Sequence, residues 1–162
     1  MDPVAAGPAG VASFASNIPF ARTRLIGRAV ELGRARELLL EHTTPVLTLT
    51  GPGGSGKTRL AQSLAAELAS HAAHDIIWVD LAPLADAAPV TSTVAKALGL
   101  TPVPGLEIAI QVVTALQSRA TMLILDNCEH VLEAVANLVA SWLPACPDLQ
   151  IVATSRAPLR LR

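Results

Sequence analysis

Four short apolar runs recur along the chain, separated by longer segments in which apolar and polar residues follow a different spacing. Uninterrupted apolar runs of this length are typical of strands that are covered on both faces of a sheet. The sequence therefore predicts four strands, at residues 46–50, 75–81, 121–126 and 149–155.

The segments between these runs carry apolar residues at the spacing of an amphipathic helix. Leu60, Leu64 and Leu68, for example, recur every four residues on one side of the predicted helix. Strands that alternate with helices predict the α/β class, here a three-layer α/β/α sandwich with a mainly parallel sheet. Helices are predicted within 25–42 and at 57–70, 91–98, 106–118 and 129–143.

The composition predicts one globular domain and lacks the positive net charge that is typical of nucleic-acid-binding proteins. The chain has 162 residues, of which 51% are hydrophobic and 15% charged, and its formal net charge is −1. Because nucleic-acid-binding domains usually carry a basic surplus, no direct nucleic-acid contact is expected from this chain. Arginines at positions 22, 24, 28, 34 and 36 are interspersed with acids and fit a solvated helix face.

Composition also predicts the domain limits and the compartment. Residues 1–20 are rich in Ala, Gly, Pro and Ser, which predicts a flexible N-terminal tail before a domain at 21–162. This start lacks the basic region of a signal peptide, and no apolar run approaches the ~20 residues of a membrane span. Cys128 and Cys146 form no metal-ligand pattern and are expected to be free thiols. We therefore expect a cytoplasmic protein without a membrane partner.

The stretch GPGGSGKT at residues 51–58 carries the clearest chemical signal. It matches the pattern G-x-x-x-x-G-K-[ST] and lies between a predicted strand and a predicted helix. Glycines allow successive backbone N–H groups to point at phosphate oxygens, Lys57 adds a cation, and the Thr58 hydroxyl is a Mg²⁺ ligand. The residues predicted to contact ATP or ADP are Gly51, Pro52, Gly53, Gly54, Ser55, Gly56, Lys57, Thr58 and Arg59.

A second site is expected at the end of the third apolar run. Asp126 ends the run MLILD and is the predicted carboxylate partner of Mg²⁺, together with Thr58. Hydrolysis also needs a group that orients or deprotonates water. Asn127 can orient water without accepting its proton, and Glu129 is either that base or an ordinary acid in the first turn of a helix. Asp80, at the end of the second run, is a more distant candidate.

Five blocks of the sequence carry a resemblance to a known class of proteins: LIGR (25–28), LTLTGPGGSGKTRLA (47–61), WVDLAPL (78–84), LILDNCEHVLEA (123–134) and IVATSRAPL (151–159). Together they resemble the signal-transduction ATPases with numerous domains (STAND), in particular the NB-ARC/AAA-like ATPase module of large bacterial LuxR-type transcriptional regulators. The resemblance implies that Gly27 and Arg28 lie near the adenine and ribose, and that Arg156 is a sensor arginine that contacts the γ-phosphate. It further implies a fourth strand between the first and third, and self-association upon ATP binding.

The chain departs from the pattern of this class in three ways. Ala29 replaces the first acid of the usual GRExE motif, whereas Glu31 retains the second, and Asn127 replaces the second acid of the Asp-Asp form. Such proteins continue into a fifth strand, a helical lid, a winged-helix region and effector domains. The resemblance therefore implies a P-loop NTPase domain that is truncated after the fourth core strand, with DNA contacts made by domains outside this chain.

Three functions remain open at the level of sequence. The first is an ATP/ADP-dependent switch in a signal-transducing regulator, with slow Mg²⁺-dependent hydrolysis that resets it. The second is a small-molecule kinase on the same core, although no arginine occurs between Arg59 and Arg119 to serve a lid. The third is an interaction module that does not hydrolyse nucleotide.

Overall fold

A computed structural model of the chain describes residues 17–19, 26–41, 44–70 and 74–161. The flexible tail predicted for residues 1–20 lies outside these residues except at 17–19 and remains a prediction. Leu25 of the LIGR block also lies outside the described residues. None of the helices in the described part of the chain has the length and apolar character needed to cross a bilayer.

The described residues form an α/β fold in which strands and helices alternate. Each predicted strand is present within one residue of its expected ends; the third and fourth are buried throughout, whereas the first is mostly half-buried. In chain order the elements are α1 Ala29–Leu40, β1 Val46–Thr50, α2 Lys57–Ala69, β2 Asp75–Asp80, α3 Val90–Ala97, α4 Ile108–Gln117, β3 Thr121–Asp126, a 3₁₀ turn Cys128–His130, α5 Leu132–Ala145 and β4 Leu149–Ser155.

All four strands are parallel and lie in the order β1-β4-β3-β2. The fourth strand therefore lies between the first and the third, as the resemblance implied. Consecutive parallel strands need a crossover that returns the chain to the same end of the sheet, which is why a helical segment lies between each strand and the next. The predicted three-layer sandwich is confirmed, and β1 and β2 form the outer edges of this sheet.

Two apolar clusters fill the space on either side of the sheet. On one face, α1 and α2 pack against β2, β3 and β4, with Leu39, Leu64 and Ile124 at 1% exposure or less. On the other face, α3, α4 and α5 pack against alternate residues of the same strands, such as Leu123 and Ile151. Alternation along β3 sends successive side chains to opposite faces, which explains a strand that is buried throughout.

The segment after β3 differs from the prediction of one helix over 129–143. Asn127 adopts a left-handed backbone conformation with φ 62° and ψ 50°, and a 3₁₀ turn follows at Cys128–His130 before α5 begins at Leu132. Glu129 therefore lies in that turn and not in the first turn of the long helix. The left-handed residue causes the difference, because it turns the chain out of the strand before a helix can start.

Residues 17–19 contact the sheet at the outer edge of β2. The Asn17 side chain donates to the carbonyl of Trp78 at 2.8 Å and accepts from the N–H of Trp78 at 2.7 Å. Ile18 packs against the apolar cluster on the α1–α2 face. The side chain of Asn17 thus pairs with the edge strand as a neighbouring strand would.

Candidate functional site

Three segments from different parts of the chain meet at the carboxyl ends of the strands. The glycine-rich loop 51–56 follows β1, Asp126 ends β3, and Arg156 follows β4. Thr50 lies opposite Ser155 in the register of β1 and β4, and Asp80 lies opposite Asp126 in that of β2 and β3. In open α/β sheets this edge is where ligands bind.

The glycine-rich loop has a backbone that other residues would distort. Gly56 has φ 82° and precedes the first residue of α2, so a side chain there would strain the entry to the helix. At Gly51 a Cβ atom would lie 2.8 Å from Oγ of Ser55, closer than van der Waals contact permits. The loop thus holds its N–H groups in a tight ring at the amino terminus of α2, where the helix dipole favours an anion.

Lys57 folds back across this loop. Its Nζ donates to the carbonyl oxygens of Gly51 and Pro52 at 2.9 and 3.0 Å, and the residue is 9% exposed. The Oγ atom of Ser55 is buried, and no hydrogen-bond partner for it occurs among the described residues. A buried ammonium group and an unsatisfied hydroxyl within one ring of amides are suited to a polyanion, since either can donate to its oxygens.

Asp126 lies at the centre of a hydrogen-bonded cluster of side chains. Its Oδ1 accepts from the hydroxyl of Thr58 on α2 at 2.9 Å and from the hydroxyl of Thr154 on β4. Its Oδ2 accepts from Nδ2 of Asn127 at 3.2 Å, and the same nitrogen lies 3.4 Å from Oδ1 of Asp80. The structure therefore joins Thr58 to Asp126, although 68 residues separate them.

Burial raises the pKa of Asp126 above its ordinary value. Hydrogen bonds from Thr154 and Thr58 oppose this effect by stabilising the carboxylate, whereas the negative charge of Asp80 adds to it. A cation beside Asp126 would offset both the desolvation and the repulsion.

The donor set fits a Mg²⁺ ion that is held in part by phosphate. Mg²⁺ usually binds through one or two carboxylates plus substrate phosphates and water, and Thr58 and Asp126 supply oxygen atoms of the required kind. Within the described ranges there is no group of three or more His, Cys, Asp or Glu residues that would enclose a metal ion alone. Thr58 and Asp126 are therefore the residues that would hold Mg²⁺, together with phosphate oxygens of a ligand bound in the neighbouring loop.

Arg156 and Glu129 form an ion pair on the far side of the loop. The Nε atom of Arg156 lies 3.6 Å from Oε1 of Glu129, and the side chains are 68% and 27% exposed. The other carboxylate oxygen of Glu129 is buried without a hydrogen-bond partner in the described part of the chain. A Cβ atom built on Gly53 would lie 3.7 Å from Nη2 of Arg156, so the guanidinium group lies against the loop.

A cavity of about 260 Å³ extends from the loop to the start of α1. Its lining includes Arg28 and Glu31 at the start of α1, Leu47 and Leu49 of β1, and Lys57 of α2. The structure thus brings Arg28 to the cavity that contains Lys57. Gly27 precedes this helix with φ 78°, and Arg59 is exposed on α2.

Both cysteines are free and buried. Burial raises the pKa of Cys128 to about 12, and the charges of Asp126 and Glu129 add to the shift. Burial also raises the pKa of Cys146. Neither residue is a nucleophile near neutral pH, because the reactive thiolate is not formed there.

Thr154 is a member of the site that sequence analysis did not single out. It is fully buried, although it occupies the penultimate position of an apolar strand. A hydroxyl residue at a fully buried strand position needs a hydrogen-bond partner, and this requirement is the feature of the sequence that could have identified Thr154 as part of a polar site. The sequence could not identify the partner, since Thr154 and Asp126 are 28 residues apart.

Comparisons with known proteins agree with this geometry. A family model described as an AAA domain matches residues 40–159. A Mycobacterium tuberculosis protein provisionally named an HTH-type transcriptional regulator is 44% identical over 114 residues, which are 70% of this chain and 13% of that protein. This chain therefore spans a small part of the length of that relative.

Solved structures share the fold at low sequence identity. Cdc6p from Pyrobaculum aerophilum has a TM-score of 0.65 at 20% identity, covering 92% of this chain and 43% of that one. A STAND protein with a tetratricopeptide repeat sensor from Pyrococcus horikoshii has a TM-score of 0.53 at 19% identity, covering 95% and 24%. Because the family match spans well over half of the chain, the protein belongs to the AAA domain family of P-loop ATPases.

Proposed function

We propose that this AAA domain binds ATP and ADP with Mg²⁺ and acts as a nucleotide-dependent switch in a signal-transducing transcriptional regulator. The observation that carries the proposal is the position of Lys57, whose ammonium group donates to the loop carbonyls of Gly51 and Pro52, while the next residue, Thr58, donates to Asp126. Phosphate oxygens are stronger acceptors for this ammonium than the loop carbonyls that it now contacts.

Each part of the polyphosphate site has a separate task. Backbone N–H groups of the glycines in the loop and of Lys57 and Thr58 would surround the phosphates, and the lysine side chain would neutralise their charge. Thr58 and Asp126 would hold Mg²⁺, which supplies charge neutralisation at the phosphates when bound. Arg28, which lines the same 260 Å³ cavity as Lys57, and Gly27 before it are the residues proposed to lie near the nucleoside.

Slow hydrolysis is consistent with the state of the groups that would handle water. Glu129, the proposed base, is paired with Arg156, and the amide of Asn127 is engaged by the two carboxylates of Asp126 and Asp80. Both groups must leave these partners before they can orient or deprotonate a water molecule. Arg156 lies against the loop at Gly53, and a terminal phosphate bound there would compete with Glu129 for its guanidinium group.

The regulatory part of the proposal comes from the relatives. A 44% identical protein carries the name of an HTH-type regulator, and a structure with the same fold is a STAND protein. In a longer protein of this kind, self-association and DNA contact would involve segments beyond this domain. The cytoplasm, where ATP and DNA are both present, is the compartment that this function requires.

Nucleotide binding can be tested by thermal unfolding with and without Mg·ATP or Mg·ADP. At a ligand concentration of 100 Kd, binding adds about 2.7 kcal/mol, which raises the Tm of a domain of this size by about 5–10 °C. The Lys57→Ala variant should lose this shift. Lys96→Ala is the matched control, because Lys96 is the other lysine of the chain and lies exposed on α3. An equal Tm shift in Lys57→Ala and the parent chain would refute the assigned phosphate site.

A further inference from the structure

The hydroxyl of Thr154 lies between two consecutive residues of the metal-side cluster. It accepts a hydrogen bond from the backbone N–H of Asn127 at 2.9 Å and donates to Oδ1 of Asp126. Thr154 has 0% exposure and lies near the end of β4, the central neighbour of β3. One hydroxyl therefore connects the position of the Asp126 side chain to the backbone at the point where β3 ends.

The direction of these hydrogen bonds is fixed by chemistry. A backbone N–H can only donate, so it occupies a lone pair of the Thr154 oxygen, and the single hydroxyl proton is left for the carboxylate. Because no water reaches a side chain with 0% exposure, neither partner of Thr154 can be replaced by solvent. The threonine thus holds Asp126 in one orientation and stabilises the left-handed conformation of Asn127.

Thr58 also donates to Oδ1 of Asp126, but it does so from a different element, at the start of α2. The start of α2 adjoins the glycine-rich loop, whereas β4 is bonded to a strand on each side. Of the two hydroxyl donors to Oδ1, Thr154 is therefore the one that the interior of the sheet holds in place.

We propose that Thr154 is a positioning residue that keeps the Asp126 carboxylate facing Thr58 and thereby sets how strongly Mg²⁺ supports nucleotide binding. This inference rests on the proposed function. Groups that hydrogen-bond to a metal-binding carboxylate orient it for the metal, and their loss typically lowers metal affinity about 10- to 100-fold.

The test measures nucleotide affinity by calorimetric titration of the full chain, with Mg²⁺ and with EDTA. Thr154→Val keeps the side-chain volume and removes the hydroxyl. It should raise the Kd for Mg·ADP about tenfold or more while the Kd in EDTA stays near that of the parent chain. Thr154→Ser, which retains the hydroxyl, should restore most of the Mg²⁺ effect.

Thr121→Val is the matched control for loss of a buried threonine hydroxyl. Thr121 is 1% exposed at the opposite end of β3, and its hydroxyl donates to the carbonyl of Arg119 at 3.3 Å. This variant should bind ADP with the Mg²⁺ dependence of the parent chain. Circular dichroism establishes that each variant is folded, and Thr154→Ala replaces the valine variant if the latter does not fold.

The outcomes distinguish a failure of the Thr154 inference from a failure of the proposed function. If the parent chain binds ADP more tightly with Mg²⁺, and the valine or alanine variant shows the same ratio of affinities, the role of Thr154 is overturned and the proposed function stands. A serine variant as impaired as the valine variant would also overturn that role. If the parent chain binds neither ADP nor ATP under any condition, the proposed function fails and the inference fails with it.

Discussion

Replacement of Glu129 by glutamine tests whether this residue acts in hydrolysis or only in structure. The substitution keeps the size of the side chain and removes its charge, so it breaks the ion pair with Arg156, in which Nε and Oε1 are 3.6 Å apart. It also removes the basic oxygen that could accept a proton from water. The two consequences can be measured separately, because one concerns stability and the other concerns turnover.

The structure indicates a small effect on stability. Arg156 is 68% exposed, so solvent screens the pair, and such pairs contribute about 0.2–1 kcal/mol. This corresponds to a change in Tm of less than about 4 °C for a domain of this size. The buried Oε2 of Glu129, which has no partner among the described residues, reduces the net loss further, because the neutral amide costs less to bury than a carboxylate.

The expected effect on turnover is much larger. General base catalysis typically contributes about 10²- to 10⁴-fold, so the glutamine variant should lose most Mg²⁺-dependent phosphate release from ATP. Its Kd for Mg·ADP should remain within about twofold of that of the parent chain, because the group acts on water rather than on bound nucleotide. Glu133→Gln is the control, since Glu133 is an exposed acid in the first turn of α5. If Glu129→Gln and Glu133→Gln release phosphate at the same rate as the parent chain, Glu129 is not the base.

Two further predictions concern the stability of the ligand-free chain. Burial raises the pKa of Asp126, so the folded chain retains the carboxyl proton at pH values where the unfolded chain has lost it. The contribution of Asp126 to the free energy of unfolding therefore falls as the pH rises from 3.8 through the folded pKa. Asp126→Asn should raise the Tm at pH 7, and a lower Tm would show that the carboxylate is net stabilising. Asn17→Ala removes both hydrogen bonds to Trp78 at the edge of β2 and should lower the free energy of unfolding by about 1–3 kcal/mol, which is a Tm loss of several degrees. The control, Asn137→Ala on the exposed face of α5, should change the Tm little. Equal Tm values for the two variants would contradict the edge pairing.

The strands and their common edge follow from the sequence because local pattern decides both. The run TMLILD has four consecutive apolar residues, a pattern that is stable only where both faces of a strand are covered, and the structure buries all six of its residues. Parallel strands place their carboxyl ends at one edge, so the loop at 51–56, Asp126 and Arg156 had to meet there. The strand order came from the resemblance to a known class and not from the pattern itself.

The contacts within the site could not be predicted from the pattern, because they join residues that are distant in sequence. Asn17 and Trp78 are 61 residues apart, and the hydrogen bond of Asn127 to Thr154 spans 27. The left-handed conformation of Asn127 depends on that long-range bond, and it displaces Glu129 from the predicted helix into a 3₁₀ turn. The prediction of a helix that begins at residue 129 was therefore wrong, because a contact between distant parts of the chain decides the local structure there.

The proposed switch requires a group that distinguishes ATP from ADP, and the exposures within the site indicate which group this is. Lys57, Asp126 and Thr154 are at most 9% exposed and are held by hydrogen bonds, so they cannot move far between the two nucleotides. Arg156 is exposed, and its ion pair with Glu129 is a weak one at 3.6 Å. A terminal phosphate bound in the glycine-rich loop would offer the guanidinium group a stronger partner and would free Glu129 in the turn that leads into α5. The same Glu129→Gln variant tests this step. Because Arg156 has lost its carboxylate partner, the variant should favour ATP over ADP more strongly than the parent chain does. An unchanged ratio of the two Kd values would exclude competition between phosphate and Glu129.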